Sequence, residues 1–343
     1  MLSKRRAGVG IAAGVAVLTV VGCAVAIAGD DGRRLSPRAS YDPFQGSATA
    51  QEWVAHGDHA AVIRVTRETA AEPGPKDGDY VPRTVTATVT QVLWSRPRAP
   101  RLPEEITLQA KGWYTTLWGG QEEAAREGAP RLEPGHTYLV AVSGTANGVE
   151  LIGDDAALPY DAATFGQGEF EGRAISPNAY RAAVRGLPED AVAEFAISET
   201  YNPRTLRDVQ RLLEGTSPLN LYRQQALNSL HTDVNLDREP DHHADEGAGD
   251  LPGRVRRRVT TLDPGTDYFL SLACSGRGTA ITLELTVDGK TDTRQLPCNT
   301  GSELVAVKQP RDEVAYEIAS AGPDIGAVAW NVSEAPGHAD RDG

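Results

Sequence analysis

Cysteine is nearly absent from this sequence, and the few that occur exclude the chemistry that clusters of them support. There are three in 343 residues. None forms a C-x-x-C pair, so neither a zinc ribbon nor a close-spaced dithiol centre is available. Motifs for nucleophiles and phosphates are missing as well: the chain has no G-x-S-x-G, H-E-x-x-H, S-x-x-K or Walker loop. Gly166-Gln167-Gly168 is too short to cradle a phosphate and opens no strand–helix unit. No catalytic residue, metal centre or cofactor is assigned, and the chain reads more readily as a non-enzyme. A site assembled from distant residues leaves no motif, so an enzyme stays open as the alternative.

Basic charge is also scarce. Lys and Arg number 34 against 47 Asp and Glu, a net charge of -13. A body this acidic repels nucleic acid, which is therefore not an expected partner. What is abundant is punctuation: 22 prolines and 35 glycines, with β-branched residues between them. That mixture favours short strands joined by turns over long helices.

Lys4, Arg5 and Arg6 precede an uncharged run from Ala7 to Gly29. About 20 apolar residues span a bilayer core, and a basic cluster stays on the cytoplasmic side. The expectation is a cytoplasmic tail over 1–8 and a membrane helix over 9–29, with the bulk of the chain outside the cell membrane as a single-pass protein. Two other endings compete. One is cleavage after Ala26-Ile27-Ala28. The other is lipidation at Cys23 in Val20-Val21-Gly22-Cys23. Residues 30–46, polar with Pro and Gly, read as a stalk.

A β-domain is expected over 47–165. After a short helix at 47–55, His59–Arg67 reads as a strand, and Thr84–Trp94 alternates with the period of a half-buried one. The alternation slips near Gln91, which suggests a bulge. Further strands are expected at Glu105–Ala110, Thr137–Ser143 and Val149–Gly153. Residues 166–231 turn helical, with Ser176-Pro177 as a start signal and Leu206, Val209, Leu212 and Leu213 on one face. This segment is expected to pack on the barrel. Residues 232–252 carry seven acidic groups against Arg238 alone and read as an acidic linker. Strands at ten-residue spacing return over 253–334, as expected for a β-sandwich, followed by a tail over 335–343.

The order HAAVIRVTR, TVTATVTQVLWS, EEITLQA, LEPGHTYLVAV resembles the small β-barrel of uncharacterised exported bacterial proteins. Its layout is similar to the OB-like barrel of the netrin and metalloproteinase-inhibitor group. The animal inhibitors use an N-terminal Cys and disulfides that this segment lacks, so their inhibitory mechanism does not carry over. The pattern Ala-Cys-Ser-Gly-Arg-Gly-Thr followed by Leu-Pro-Cys resembles the C-terminal sandwich of exported actinobacterial proteins. The resemblances imply an OB-like barrel plus a sandwich.

Among single residues, Cys274 and Cys298 are expected to form a disulfide, the default in an oxidising compartment. Its loop closure contributes about 3 kcal/mol in the chain-entropy model. Asp154, Asp155 and Asp161 read as solvated turn residues, and His56 with His59 as a satisfied pair. His242 and His243 among acidic neighbours lack the fixed surroundings a metal needs. Trp113, Tyr114 and Trp118, flanked by Gly112 and Gly119-Gly120, are the candidate ligand contacts, since rim aromatics stack on sugar or grip peptide; the competing reading, which the residues favour, is that they pack the loop against the helical segment. The functional expectation is a membrane-anchored envelope protein that binds or scaffolds a surface protein or a neutral glycan. The alternative is a cell-wall-acting enzyme with a composite site.

Overall fold

The computed structural model describes residues 33–36, 47, 49–71, 79–116, 120–185, 205–233, 243–260, 262–277, 280–311, 313–320, 322 and 325–335. Helix α1 (Ala50–His56) opens on a capping box. Thr49 Oγ1 accepts from Glu52 N at 3.1 Å, and Glu52 returns a carboxylate to Thr49 N at 2.7 Å. These two bonds satisfy amides that a helix start otherwise leaves orphaned.

The first unit is one sheet of eight strands: β1 (Arg33–Ser36), β2 (His59–Ala70), β3 (Tyr80–Ser95), β4 (Glu105–Thr115), β5 (Gln121–Arg126), β6 (Thr137–Thr145), β7 (Gly148–Leu151) and β8 (Ala157–Pro159). They run in the order β1-β5-β4-β3-β2-β6-β7, with β8 on β6. The residues of β2 from Ala60 to Ile63 are all buried, because that strand is covered on both faces. Ala61, Ile63 and Val65 join the core inside the curved sheet. Ala60 and Val62 pack the other way, against Trp53 of α1 and Val209 and Leu213 of α3 (Leu206–Gly215). Burial on both faces is why this strand reads as a continuous apolar run. The slip near Gln91 is a bulge. Val62 pairs with Gln91 and Ile63 with Val89, so Thr90 is extra.

Several expectations are corrected here. The sheet is an open half-barrel, since no ladder among the described residues joins its two ends. The OB-like barrel, and with it the netrin-like resemblance, is therefore overturned. Among the described residues no helix is long and apolar enough to cross a membrane. The longest, α4 (Leu219–Asp233), has 15 residues, short of the ~20 a span needs. The run Ala7–Gly29, and Cys23 with it, lies outside the described residues. The membrane helix, the membrane as partner and the single-pass location are set aside. Within the expected stalk, Arg33–Ser36 pairs in parallel with Glu123–Arg126.

After the hairpin β9 (Gly168–Phe170) and β10 (Arg173–Ile175) comes helix α2 (Pro177–Arg185). The second unit is a sandwich of two four-stranded sheets. One is ordered β11-β18-β13-β16, the other β12-β17-β14-β15. Its strands are β11 (His243–Leu251), β12 (Arg254–Val259), β13 (Tyr268–Gly276), β14 (Ala280–Val287), β15 (Lys290–Pro297), β16 (Ser302–Val307), β17 (Val314–Ser320) and β18 (Gly326–Glu334). Strand β11 lies inside the stretch read as an acidic linker. It orders because Gly247 and Gly249 leave room for Trp330, whose ring a Cβ at Gly247 would meet at 2.5 Å. Core packing thus outweighs the strand's charge. Cys274 and Cys298 are joined as a disulfide beside this core. Helix α4 packs Ala226 and Leu230 on Ala273 and Ala329 of the sandwich, and its Tyr222 Oη donates to Ala55 O of α1 at 2.7 Å. The helical segment thus serves both units and is not confined to the first.

A buried polar cluster ties the half-barrel together. The Glu169 carboxylate is 2% exposed. It accepts from Arg131 N (3.0 Å), Leu132 N (3.1 Å), Gly172 N (2.6 Å) and Tyr138 Oη (2.7 Å). Breaking a buried charged network leaves donors unpaired, at about 3–5 kcal/mol. Glu169→Leu should therefore lower the unfolding free energy by about 3 kcal/mol or more, read as a shift of the urea midpoint. A change within 0.5 kcal/mol would contradict this placement.

Candidate functional site

Two of the candidate aromatics, Trp113 and Tyr114, are half-buried. Trp113 and Tyr114 lie within strand β4, paired with Glu123 and Glu122 of β5 and with Val81 and Tyr80 of β3. Gly112 is required there, since a Cβ would sit 1.8 Å from Val81 O. The Trp113 ring centroid lies 5.0 Å from the Arg131 guanidinium and 5.6 Å from that of Arg83, both within cation–π range. Both arginines are fully buried. Arg83 donates to Glu68 at 2.5 Å, and Arg131 to Glu133, to Gly112 O (2.9 Å) and to Ala124 O (3.0 Å). Tyr114 packs against Tyr80 with centroids 5.4 Å apart. Trp118 lies outside the described residues. Trp113 is thus a packing partner for two buried cations.

The acidic turn is also committed internally. Asp154 accepts from Arg126 at 2.6 Å and from Lys111 at 2.9 Å. Burial pushes its carboxyl up, but the hydrogen bonds and charges of Arg126 and Lys111 outweigh that and hold it below the usual range. Asp161 accepts from His136 Nδ1 at 2.6 Å and from Thr137 N at 2.7 Å. Among the described residues no group of three His, Cys, Asp or Glu side chains is placed to hold a metal. Asp241 and His242 lie outside those residues.

One pair does combine reactive chemistry with a cavity. His59 opens β2, Ser95 closes β3, and the ladder sets them directly opposite each other. Facing residues of an antiparallel pair project to the same side. His59 Nδ1 and Ser95 Oγ lie 2.9 Å apart. The other ring nitrogen, Nε2, lies 2.8 Å from Pro100 O. A carbonyl only accepts, so Nε2 carries the proton. In the neutral ring Nδ1 is then the acceptor for the Ser95 hydroxyl. His59 is 6% exposed, whereas Ser95 is open to solvent.

The loop that brings Pro100 into place follows from its sequence, Arg96-Pro97-Arg98-Ala99-Pro100. Ala99 N donates to Arg96 O at 3.1 Å, with Arg98 at φ 69°. This is a turn with proline at its second position and a left-handed residue at its third, a place glycine usually takes. Holding Arg98 there stores backbone strain, as functional loops often do. Leu102 is buried in the half-barrel core and fixes the far end. Between loop and strand lies a cavity of about 430 Å³, lined by His59, Ser95, Val92, Pro100, Arg101 and Leu102 among others. That volume falls within the range of small-molecule sites.

No protein-family model matches the chain. No curated protein matches it either. Among solved structures, it is similar to endo-1,4-beta-D-xylanase 10B of Clostridium thermocellum complexed with xylohexaose, at 12% identity over 25% of this chain and 20% of that one, with a TM-score of 0.18. It is also similar to exo-beta-1,3-galactanase of Phanerochaete chrysosporium with beta-1,3-galactotriose, at 10% identity over 80% and 69% of the two chains, with a TM-score of 0.20. A third is the insecticidal delta-endotoxin of Bacillus thuringiensis, at 9% identity over 83% and 54%, with a TM-score of 0.19. The chain spans about a fifth of the xylanase it matches. At these TM-scores the likenesses assign neither fold nor activity. With no family model and no curated protein matching, the expected resemblance to exported actinobacterial proteins is withdrawn. The reading as a membrane-tethered scaffold goes with it.

Sequence reasoning did not find Ser95. It lies 36 positions from His59 with no motif around it, and only the register of β2 on β3 joins the two. His56 and His59, read as a pair, face different partners. His56 Nε2 is buried with no hydrogen-bond partner among the described residues.

Two outcomes follow. Trp113→Ala should destabilise the protein by about 3 kcal/mol, seen in chemical unfolding, whereas an exposed ligand contact would leave stability unchanged. His56 is held below its ordinary 6.5 by burial and then by the charge of Arg277. On lowering the pH the unfolded chain therefore takes up this proton first. The contribution of neutral His56 is complete above about pH 6.5 and is lost progressively below it. His56→Gln should flatten the fall in Tm between pH 7.5 and 5 relative to the unsubstituted protein.

Proposed function

We propose that the protein is a hydrolase of the acyl-transfer type, with Ser95 as nucleophile and His59 as its general base. One observation carries this reading. An exposed serine hydroxyl is hydrogen-bonded to the free nitrogen of a buried imidazole, whose other nitrogen is fixed on a main-chain carbonyl. A nucleophile, a base within reach and a third group that orients the base are the parts such catalysis needs. Here Pro100 O takes the orienting role that a carboxylate fills in the common triad.

In the proposed reaction Ser95 Oγ forms a bond to the substrate's ester carbonyl carbon while its proton passes to His59 Nδ1. The carbonyl–alkoxide bond then breaks, and the departing alkoxide takes the proton from Nδ1. Water attacks the acyl-serine and gives a proton to Nδ1, and the acyl–Oγ bond breaks as that proton returns to Ser95. The products are an alcohol and a carboxylic acid. Arg101 and the Gln91 amide line the same cavity and carry the N–H donors available to the developing oxyanion. Val89, Val92, Leu102 and Pro103 give the cavity apolar walls, suited to a short acyl group.

A fluorophosphonate probe tests this directly. It should label the folded protein at Ser95, located by peptide mass analysis. Ser95→Ala should abolish the label, and His59→Gln should slow labelling by about 100-fold or more. Hydrolysis of p-nitrophenyl acetate should fall in parallel. A folded protein whose Ser95 stays unlabelled would sink the proposal.

A further inference from the structure

We infer that the sandwich is the positioning unit of the Ser95–His59 pair, acting through Arg277 on the Asp58 carboxylate. The inference concerns control of that site and rests on the hydrolase reading. Asp58 directly precedes His59, and Arg96 directly follows Ser95. Asp58 is 3% exposed. Its main chain is tied on both sides: Asp58 N donates to Val142 O at 2.8 Å, and Arg96 N donates to Asp58 O at 2.9 Å. Its carboxylate binds Arg96 again and a second residue of β6. Arg96 Nη2 lies 2.7 Å from Oδ1, and Gly144 N donates to Oδ2 at 2.8 Å. The residue before the base and the residue after the nucleophile are thus clamped to each other.

The fourth side of this clamp comes from the other unit. Arg277, just past β13, places Nη2 3.0 Å from Asp58 Oδ2. It also donates to Ser143 Oγ and to the carbonyl of His56. Its own base is stiff. Gly276 N donates to Asn299 Oδ1 at 3.1 Å, and Asn299 N donates to Cys274 O at 2.8 Å, next to the disulfide. A carboxylate drawn out of water keeps its place only while its oxygens stay partnered. Without Arg277, Oδ2 loses its only cationic partner among the described residues. The Arg96–Asp58 clamp then recentres and carries Ser95 off His59. Small misplacements of this kind are costly to a nucleophile and its base.

The test uses the full chain with ¹⁵N-labelled histidine. In the unsubstituted protein, NMR should show His59 as a single tautomer, protonated on Nε2. In Arg277→Met the two ring nitrogens should move toward averaged shifts, and fluorophosphonate labelling of Ser95 should slow about tenfold. Arg277→Lys, which keeps the charge, should restore part of both and serves if the methionine variant does not fold. Tyr222→Phe removes the Tyr222–Ala55 bond at the same junction and should leave His59 unchanged. Unchanged His59 resonances in Arg277→Met, or in Arg277→Lys where the methionine variant does not fold, would overturn the inference, as would an equal shift in Tyr222→Phe. Absence of labelling in the unsubstituted protein would instead strike the hydrolase reading, and the His59 resonances would still decide the positioning.

Discussion

The half-barrel depends on one buried carboxylate. Glu169 stands on the short hairpin after the main sheet, yet it accepts from the amides of Arg131 and Leu132 in the β5–β6 connection and from Tyr138 in β6. Leu132 sits at φ 65°, a conformation a leucine does not choose by itself. The hydrogen bond from its amide to Glu169 helps hold it there. Fixing this connection places the Arg131 guanidinium beside Trp113 and turns the Arg131 carbonyl toward Arg83. Burial, and then the Glu169 charge, pushes the Tyr138 hydroxyl far above its usual pKa, so it remains a donor throughout the physiological range. The strands that meet at this cluster include β3, whose far end carries Ser95.

The two units meet through unlike contacts. Helix α4 covers the sandwich with Ala226 and Leu230 and reaches α1 through Tyr222, while Arg277 crosses to the Asp58 carboxylate at the start of β2. Apolar contact supplies area without direction. The guanidinium, with its fixed fork of donors, supplies direction. Together they set the sandwich on the side of the sheet where β2 begins and β3 ends.

The Ser95–His59 pair follows from the same geometry. An antiparallel ladder places the first residue of one strand opposite the last residue of its neighbour, and the bulges at Thr90 and Leu93 together set which residue that is. A one-residue change in either bulge would send Ser95 to the other face. The proline-rich turn after β3 then folds back and presents the Pro100 carbonyl to the imidazole. The cavity forms where this loop stands off the strand.

By itself the sequence determined the periodic parts. The continuous run HAAVI, the alternation in Thr84–Val89, the start signal at Ser176-Pro177 and the apolar face around Val209 and Leu213 are local patterns, and local spacing sets which face of an element is buried. It could not announce β11, because HADEGAGD orders only against Trp330, some eighty residues away. Nor could it announce β5, whose QEEAAR has little strand propensity and is held by β4 and by the Arg131 side chain. Trp113 read either as a rim aromatic or as loop packing because its glycine neighbour suggests a loop, and only the fold shows two buried arginines beside its ring. The site itself was illegible for the same reason. Ser95, His59 and Pro100 carry no shared motif, and register, bulges and turn bring them together only when the chain is folded, since pairing between strands is a long-range outcome that no local spacing displays.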